Sequence, residues 1–398
     1  MSEKTKKRLF FPVCIMSVLF SCFALSRLFR RPDFDYKYRA FLGNGTDFDV
    51  LFLGTSHVLT SVFPLRLWND HGITSYNLSA HGCSIPLSYW VFRNAVRVHK
   101  PKVAVLDIFA VAGVPFDMNL YHRTYDAIPM GAEKLRSFAD LFGFKDFLKA
   151  FGFSMSHSFW SKDAYDAAET KPNEEMGAEP LFLLRFDHSF GTESREFEGR
   201  DTDEIRYVQK FIDFCRKNDI VPILTFIPFD KGQESLRPWA EHVFKKARGQ
   251  GVGCLEIEKD GRIDFEIDMA DVDSHLNPNG GRKVTDFIGT YLSRNCALEN
   301  HKDDEAYSWW RDCYAAHRAH MKSVIKSQND FKMALLVFDE SLFFGTVHAS
   351  PGRAFDRIEQ KFLKERESSV SVVRSETDGV VFEIFDADDK TLVKRMSF

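Results

Sequence analysis

The chain alternates short, unbroken apolar stretches with longer segments whose apolar residues recur every three or four positions. "DVLFLG" (49–54), "TSYNLS" (74–79), "KVAVLDIFAV" (102–111), "IVPILTFIP" (220–228) and "GCLEI" (253–257) have the length and content of strands. Between them, "IPLSYWVFRNAVRVHK" (85–100) places Pro86 where a first helical turn accepts it. "DEIRYVQKFIDFCRKND" (203–219) sets Ile205, Val208, Phe211, Ile212 and Cys215 on one helical face, and "NGGRKVTDFIGTYLSR" (279–294) does the same with Val284, Phe287, Ile288, Tyr291 and Leu292. Strands apolar on both faces, separated by amphipathic helices, predict an α/β fold: a parallel sheet in a three-layer sandwich over residues 32–298. Such sheets take ligands just beyond the carboxyl ends of their strands.

Three segments break the alternation. From Leu9 to Leu25 the chain carries no charge, with Lys4, Lys6, Lys7 and Arg8 before it and Arg27, Arg30 and Arg31 after it. At about 1.5 Å per residue this run, extended through Leu28 and Phe29, just reaches across a hydrocarbon core of about 30 Å. With no small-x-small cleavage site following, residues 1–31 are expected to be a cytoplasmic tail and a retained single-pass membrane anchor, the rest lying outside. Residues 112–201 form an insertion rich in phenylalanine around 138–153, a lid or groove wall if it is not simply core. Residues 299–398 read as a separate α+β module. In it a helix covers "DDEAYSWWRDCYAAHRAHMKSVIKS", "KMALLVF" and "SVSVVRS" are strands, and "VVFEIFD" and "TLVKRMSF" form a hairpin through "ADDK". Trp309 and Trp310 suit either a sugar-stacking platform or, more commonly, core packing.

Composition narrows the chemistry. The 398 residues are 44 % hydrophobic with 40 phenylalanines, enough for a large core and for apolar grooves. A formal net charge of −4 offers no basic surface, so no nucleic-acid partner is expected. Of seven cysteines, Cys14 and Cys22 lie in the N-terminal run and the others are scattered without CxxC or Cys/His spacing. Neither a disulfide framework nor a metal site is expected, and no cofactor motif occurs.

Two stretches carry candidate catalysis. "GTSH" (54–57) puts Ser56 where a strand gives way to a helix, at the rim where ligands bind. A serine there needs a base, and "DMADVDSHLNPNGG" offers His275 just before the last helix of the sandwich, with Asp271 and Asp273 nearby. Each stretch alone also reads as an ordinary capped helix start. Their conjunction, on a parallel-sheet pattern, points to nucleophilic catalysis. His57 reads as a substrate-pocket residue rather than the base, because an i+1 neighbour points away from the nucleophile's side of a helix. His81, beside Gly82, is a second pocket candidate. "NLYHRTYDAIP" (119–129) follows the third strand, placing His122 and Asp126 as substrate contacts and Arg123 as an anion contact, unless the loop is merely packed by Tyr121 and Tyr125. Asp107 is either near the site or a loop cap.

"GTSH" at 54–57, "NLSAHG" at 77–82 and "DSHLNPNG" at 273–280 together resemble the SGNH (GDSL-like) hydrolase superfamily over about residues 46–295. The likeness is closest to its membrane-anchored branch, with the proteins of alginate O-acetylation and teichoic-acid D-alanylation. It implies a flavodoxin-like sheet, Ser56 as nucleophile, His275 as base, and the backbone N–H groups of Ser56 and Gly82 as oxyanion donors. The family's aspartate three residues before the histidine is Val272 here; the D-x-H arrangement favours Asp273, with Asp271 left open. The third block, Gly-x-Asn, is missing, since the matching strand ends in "LDIFAV". The implied activity is that of a bacterial, extracytoplasmic serine esterase or O-acyltransferase acting on acyl esters of a cell-surface polysaccharide, supplied by a membrane acyl-donor partner. The displaced aspartate and missing block leave a second reading open, an inactive glycan-binding or assembly-scaffold protein of the same fold.

Overall fold

The structure, a computed structural model, describes residues 3–28, 36–43, 47–113, 118–125, 128, 132–142, 175–184, 201–230, 233–271, 275–376 and 379–398. Strands β1 (Val50–Leu53), β2 (Ser75–Asn77), β3 (Val103–Asp107), β4 (Val221–Phe226) and β5 (Gly253–Glu256) form one parallel sheet in the order β2-β1-β3-β4-β5. Leu51 lies opposite Tyr76 on one side and Ala104 on the other. The continuous apolar runs arise because alternate residues face opposite directions and both faces are covered. Leu51, Leu53, Ala104, Leu106 and Leu224 enter one core, while Val50, Phe52, Val103, Val105, Ile223 and Leu255 enter the other.

The helices are α1 (Glu3–Leu28), α2 (Tyr36–Gly43), α3 (Ser56–Ser61), α4 (Pro64–His71), α5 (Ile85–Ala95), α6 (Met118–Tyr125), α7 (Ala132–Leu141), α8 (Asp203–Lys217), α9 (Gln233–Arg248) and α10 (Pro278–Asn295). Helices α5 and α8 cover the first face through Leu87, Phe92, Val208 and Phe211. Helices α3 and α10 cover the second through Val58, Val284, Ile288 and Leu292. The chain moves outward in opposite directions from the β1/β3 pair, so the crevice above those two strands is the switch point of the sheet.

The apolar N-terminal run is helical within α1, with Phe10, Phe11, Met16 and Phe20 exposed. Among the described residues, no helix is long and apolar enough to cross a membrane. The charge-free run alone spans about 25 Å at 1.5 Å per residue, less than a hydrocarbon core.

Beyond the sandwich come α11 (Ser308–Ser327), α12 (Phe331–Val337) and α13 (Arg357–Glu365), with β6 (Phe343–Ala349), β7 (Val370–Arg374), β8 (Val380–Asp386) and β9 (Leu392–Ser397) in a mixed sheet ordered β7-β6-β8-β9. "KMALLVF" is helix α12, not the strand its composition suggests. A short apolar run does not distinguish the two, and here Asp330 caps a helix by accepting from Met333 N at 2.9 Å. Strand β6 is an element the sequence pattern did not mark. Trp310 is fully buried and stacks on Trp68 with centroids 5.5 Å apart, so its indole is spent in the core rather than on a sugar platform.

Helix α13 lies along the segment preceding α10. Lys361 pairs with Asp264 at 2.5 Å and Glu266 at 2.9 Å, Arg357 with Glu266 at 2.5 Å, and Arg366 with Asn279 at 2.7 Å. Residues 357 and 361 lie one turn apart on one face of α13, which is why one element can grip the 264–266 segment with both side chains.

Candidate active site

Ser56 is delivered by a tight strand-to-helix turn. Gly54 has φ +147°, and a Cβ there would come within 2.7 Å of Val58 Cγ2 and 2.9 Å of Asp107 Cβ. Thr55 then caps α3, its Oγ1 accepting from His57 N at 3.3 Å. A buried amide locks the helix in place: Asn77 Nδ2 donates to Val58 O at 2.9 Å and Val62 O at 3.0 Å. Its Oδ1 accepts from Ser79 N at 3.2 Å, and Ala80 N donates to Gly54 O at 3.1 Å. The loop carrying His81 and Gly82 therefore runs beside the nucleophile turn.

His275 stands on a second tight structure. Met269 and Leu276 form an antiparallel bridge, Ala270 N donates to His275 O at 2.8 Å, and Asn277 N donates to Asp268 O at 2.9 Å. Asn277 pins the hairpin stem by donating to Ile267 O and Met269 O, while its Oδ1 caps α10 by accepting from Asn279 N and Gly280 N. Helices α3 and α10 are in turn stitched together: Thr285 Oγ1 donates to Ser61 O and accepts from Phe63 N, both at 3.0 Å. The close approach requires Gly281, where a Cβ would meet the Phe63 ring at 2.5 Å. Two motifs 219 residues apart thus open side by side at one rim.

The result is a continuous relay. His275 Nε2 is 2.8 Å from Ser56 Oγ, and His275 Nδ1 is 2.5 Å from Asp271 Oδ2. Asp271 Oδ1 also accepts from the His275 backbone N–H at 3.0 Å. A carboxylate only accepts, so Nδ1 carries the proton and the Nε2 lone pair faces the serine hydroxyl. Asp271 is buried, with its side chain 6 % exposed, which strengthens its hold on the ring. Ser56 remains half-buried and the His275 side chain 14 % exposed, so the pair can be reached from outside.

Of the two aspartates considered from sequence, Asp271 makes these bonds. Asp273 lies outside the described residues. His57, expected to point away from the nucleophile's side, has its ring 5.5 Å from that of His275. Helix α3 begins at Ser56, so both side chains splay from the helix end and share the rim. Burial, reinforced by His275, holds the His57 pKa well below the ordinary imidazole value, with Asp271 opposing weakly. His81 lies 3.6 Å from Glu179, whose backbone N–H donates to Leu59 O, on the outer edge of the same region. Gly82 sits in a turn at φ +57°. His122 is buried on α6 with its ring edge-on to Tyr121 at 5.2 Å, closed off from solvent; Asp126 lies outside the described residues. Asp107 is a loop cap, accepting from Phe109 N at 3.2 Å and Ile227 N at 3.0 Å. Among the described residues no group of three His, Cys, Asp or Glu side chains is placed to hold a metal, and the described cysteines are free thiols. Sequence reasoning passed over Asn77 and Asn277, although both lie inside the quoted motifs.

No family model and no curated protein matches the chain. Solved structures do resemble it. A GDSL-like lipase from Bacteroides thetaiotaomicron is 9 % identical, with 66 % of this chain and 98 % of that one aligned at a TM-score of 0.36. A protein assigned to the lipolytic G-D-S-L family, from Desulfitobacterium hafniense, is 12 % identical over 62 % of this chain and 97 % of that one, with a TM-score of 0.32. A protein assigned as an acylhydrolase, from Bacteroides fragilis, is 11 % identical over 65 % and 94 %, with a TM-score of 0.33.

Proposed function

We propose that the chain is a serine esterase or O-acyltransferase working through an acyl-enzyme. The observation that carries this reading is the unbroken Ser56–His275–Asp271 relay, with its 2.8 Å and 2.5 Å links. Ser56 Oγ attacks the acyl carbonyl carbon as its proton passes to His275 Nε2, and Asp271 steadies the imidazolium that forms. The imidazolium returns the proton to the leaving oxygen as the ester C–O bond breaks, leaving the acyl group on Ser56. Water or a second hydroxyl then attacks the acyl carbonyl as its proton passes to His275 Nε2, and the imidazolium returns that proton to Ser56 Oγ as the acyl–Oγ bond breaks, freeing the product and the serine. The backbone N–H groups of Ser56 and Gly82 are assigned to the developing oxyanion.

The substrate class proposed is an acyl ester of a cell-surface polysaccharide, with a membrane acyl-donor protein as partner and the catalytic part outside a bacterial cytoplasm. Support comes from the motif resemblance and from α1, whose exposed Phe10, Phe11, Met16 and Phe20 suit contact with lipid. The test is labelling by a fluorophosphonate together with hydrolysis of 4-nitrophenyl acetate. Both are expected in the wild-type chain and absent in Ser56→Ala. A wild-type chain showing neither, yet binding glycan, would make it a scaffold of this fold instead.

A further inference from the structure

His57 directly follows the nucleophile and is 2 % exposed. Its ring stacks on Phe109 with centroids 3.7 Å apart, meets Phe229 edge-on at 5.3 Å, and tilts toward His275 at 5.5 Å. Three aromatic neighbours thus fix the plane of the imidazole. The site leaves its polar atoms unspent. Among the described residues Nδ1 is sealed from solvent with no hydrogen-bond partner and Nε2 makes no hydrogen bond, while the backbone N–H is engaged by Thr55 Oγ1.

Burying a polar nitrogen without a partner is costly, and natural interiors tolerate an orphaned acceptor better than an orphaned N–H. The sealed Nδ1 is therefore the bare lone pair, and the ring proton sits on Nε2, which is not sealed. The apolar surroundings and the neighbouring His275 keep the ring neutral. What stands beside Ser56 is a rigid, uncharged N–H donor that has no acceptor among the described residues.

We infer that His57 is an oxyanion-hole residue, its Nε2–H donating a hydrogen bond to the acyl carbonyl oxygen as negative charge builds there. The inference rests on the acyl-enzyme reading above. In the addition step the Ser56 Oγ–C bond forms, the carbonyl π pair moves onto oxygen, and the Ser56 proton goes to His275 Nε2. His57 keeps its own proton throughout. When the intermediate collapses, the oxygen pair re-forms the carbonyl and the leaving C–O bond breaks, taking the proton from His275. A neutral donor suits this position, since a charged ring beside His275 would oppose formation of the imidazolium. The held plane supplies the donor without reorganisation, the condition under which such bonds count most.

The test uses the full chain and 4-nitrophenyl acetate. His57→Phe keeps an aromatic ring against Phe109 and removes both nitrogens, while His57→Asn restores an N–H donor. For the phenylalanine variant, kcat is expected to fall about 10²–10³-fold with KM within about threefold of wild type, and the asparagine variant to recover at least about tenfold. The acid limb of the pH–rate profile is expected to stay in place, because His275 remains the base. A wild-type measurement covers the case in which the phenylalanine variant does not fold. In protein carrying isotope-labelled histidine and phosphonylated on Ser56, where the phosphoryl oxygen stands in for the oxyanion, the His57 Nε2–H resonance is expected to move downfield. Wild-type kcat in His57→Phe, or a resonance unmoved by phosphonylation, would overturn the assignment while Ser56→Ala remains inactive. A wild-type chain that neither hydrolyses the ester nor takes the label would instead overturn the acyl-enzyme reading, and this assignment with it.

Discussion

Arg366 of the C-terminal module donates a 2.7 Å hydrogen bond to Oδ1 of Asn279, in the first turn of the helix that follows His275. The same oxygen accepts from Arg282 at 3.3 Å, and Asn279 Nδ2 donates to Asp268 at 2.6 Å and Glu365 at 2.9 Å. One buried amide therefore ties the module to both ends of the hairpin that carries the relay. Hydrogen bonds to charged groups contribute about 1.5–3 kcal/mol each and are not additive, so Asn279→Ala is expected to lose about 3 kcal/mol. Arg357→Ala, which breaks an exposed ion pair between α13 and Glu266, should cost under about 1 kcal/mol. Urea unfolding of the two variants checks the contrast, and ester hydrolysis by Asn279→Ala should fall with the slackened hairpin.

The choice between carboxylates gives a sharper expectation. Asp271 holds His275 Nδ1 at 2.5 Å and also accepts the histidine's backbone N–H, so its loss releases both the tautomer and the loop. By analogy with other triads, Asp271→Asn should lower kcat by about 10³–10⁴-fold, because an amide can present its N–H to the ring and favour the wrong tautomer. Asp273→Asn is expected to keep kcat within about threefold of wild type. Parallel measurement of the two variants decides the matter, and the reverse order of losses would assign the role to Asp273.

Why this distinction was hidden in the sequence is physical. The strands of the sandwich are legible because burial on both faces makes them unbroken apolar runs, and the Ser56 and His275 turns are legible because rim residues break those runs with Gly, Ser, Asp and Asn. Which carboxylate reaches the imidazole depends instead on how the chain folds back through the Met269–Leu276 bridge, which lays the residue four positions earlier against the ring. Strand β6 escaped notice because three of the seven positions of "FFGTVHA" are only partly buried, and Gly, Thr and His interrupt its apolar run. Asn77 looks like an ordinary polar loop residue until its amide is seen holding two carbonyls of α3.

Gly54 should be close to irreplaceable. The backbone there is left-handed at φ +147°, and an added methyl would meet Val58 at 2.7 Å and Asp107 at 2.9 Å. The Asp107 contact is not the far end of a flexible chain, so something in the turn must shift. Gly54→Ala is expected to destabilise by about 1–3 kcal/mol from crowding, with a further cost for the backbone. It should also lower kcat disproportionately, since the displaced turn carries Ser56. Thermal unfolding and ester hydrolysis measured together would show this, whereas a variant with wild-type melting and turnover would show that the turn is looser than its contacts imply.

Asp107 ties the ends of β3 and β4 together from a fully buried position, and its titration should be visible in stability. Burial pushes its carboxyl up from an ordinary value near 3.8 to about 7, against the two backbone N–H groups that favour the ionised form. Between those values the folded chain holds a proton that the unfolded chain has released. Unfolding therefore sheds a proton, and this contribution is fully present below about pH 4 and is lost as pH rises through about 7. Asp107→Asn removes the titration, so the stability of the wild type relative to the variant should decline steadily from pH 4 to pH 7 and then level off. Urea unfolding free energies at stepped pH would reveal the declining difference; parallel curves would mean that the buried carboxyl keeps an ordinary affinity for its proton.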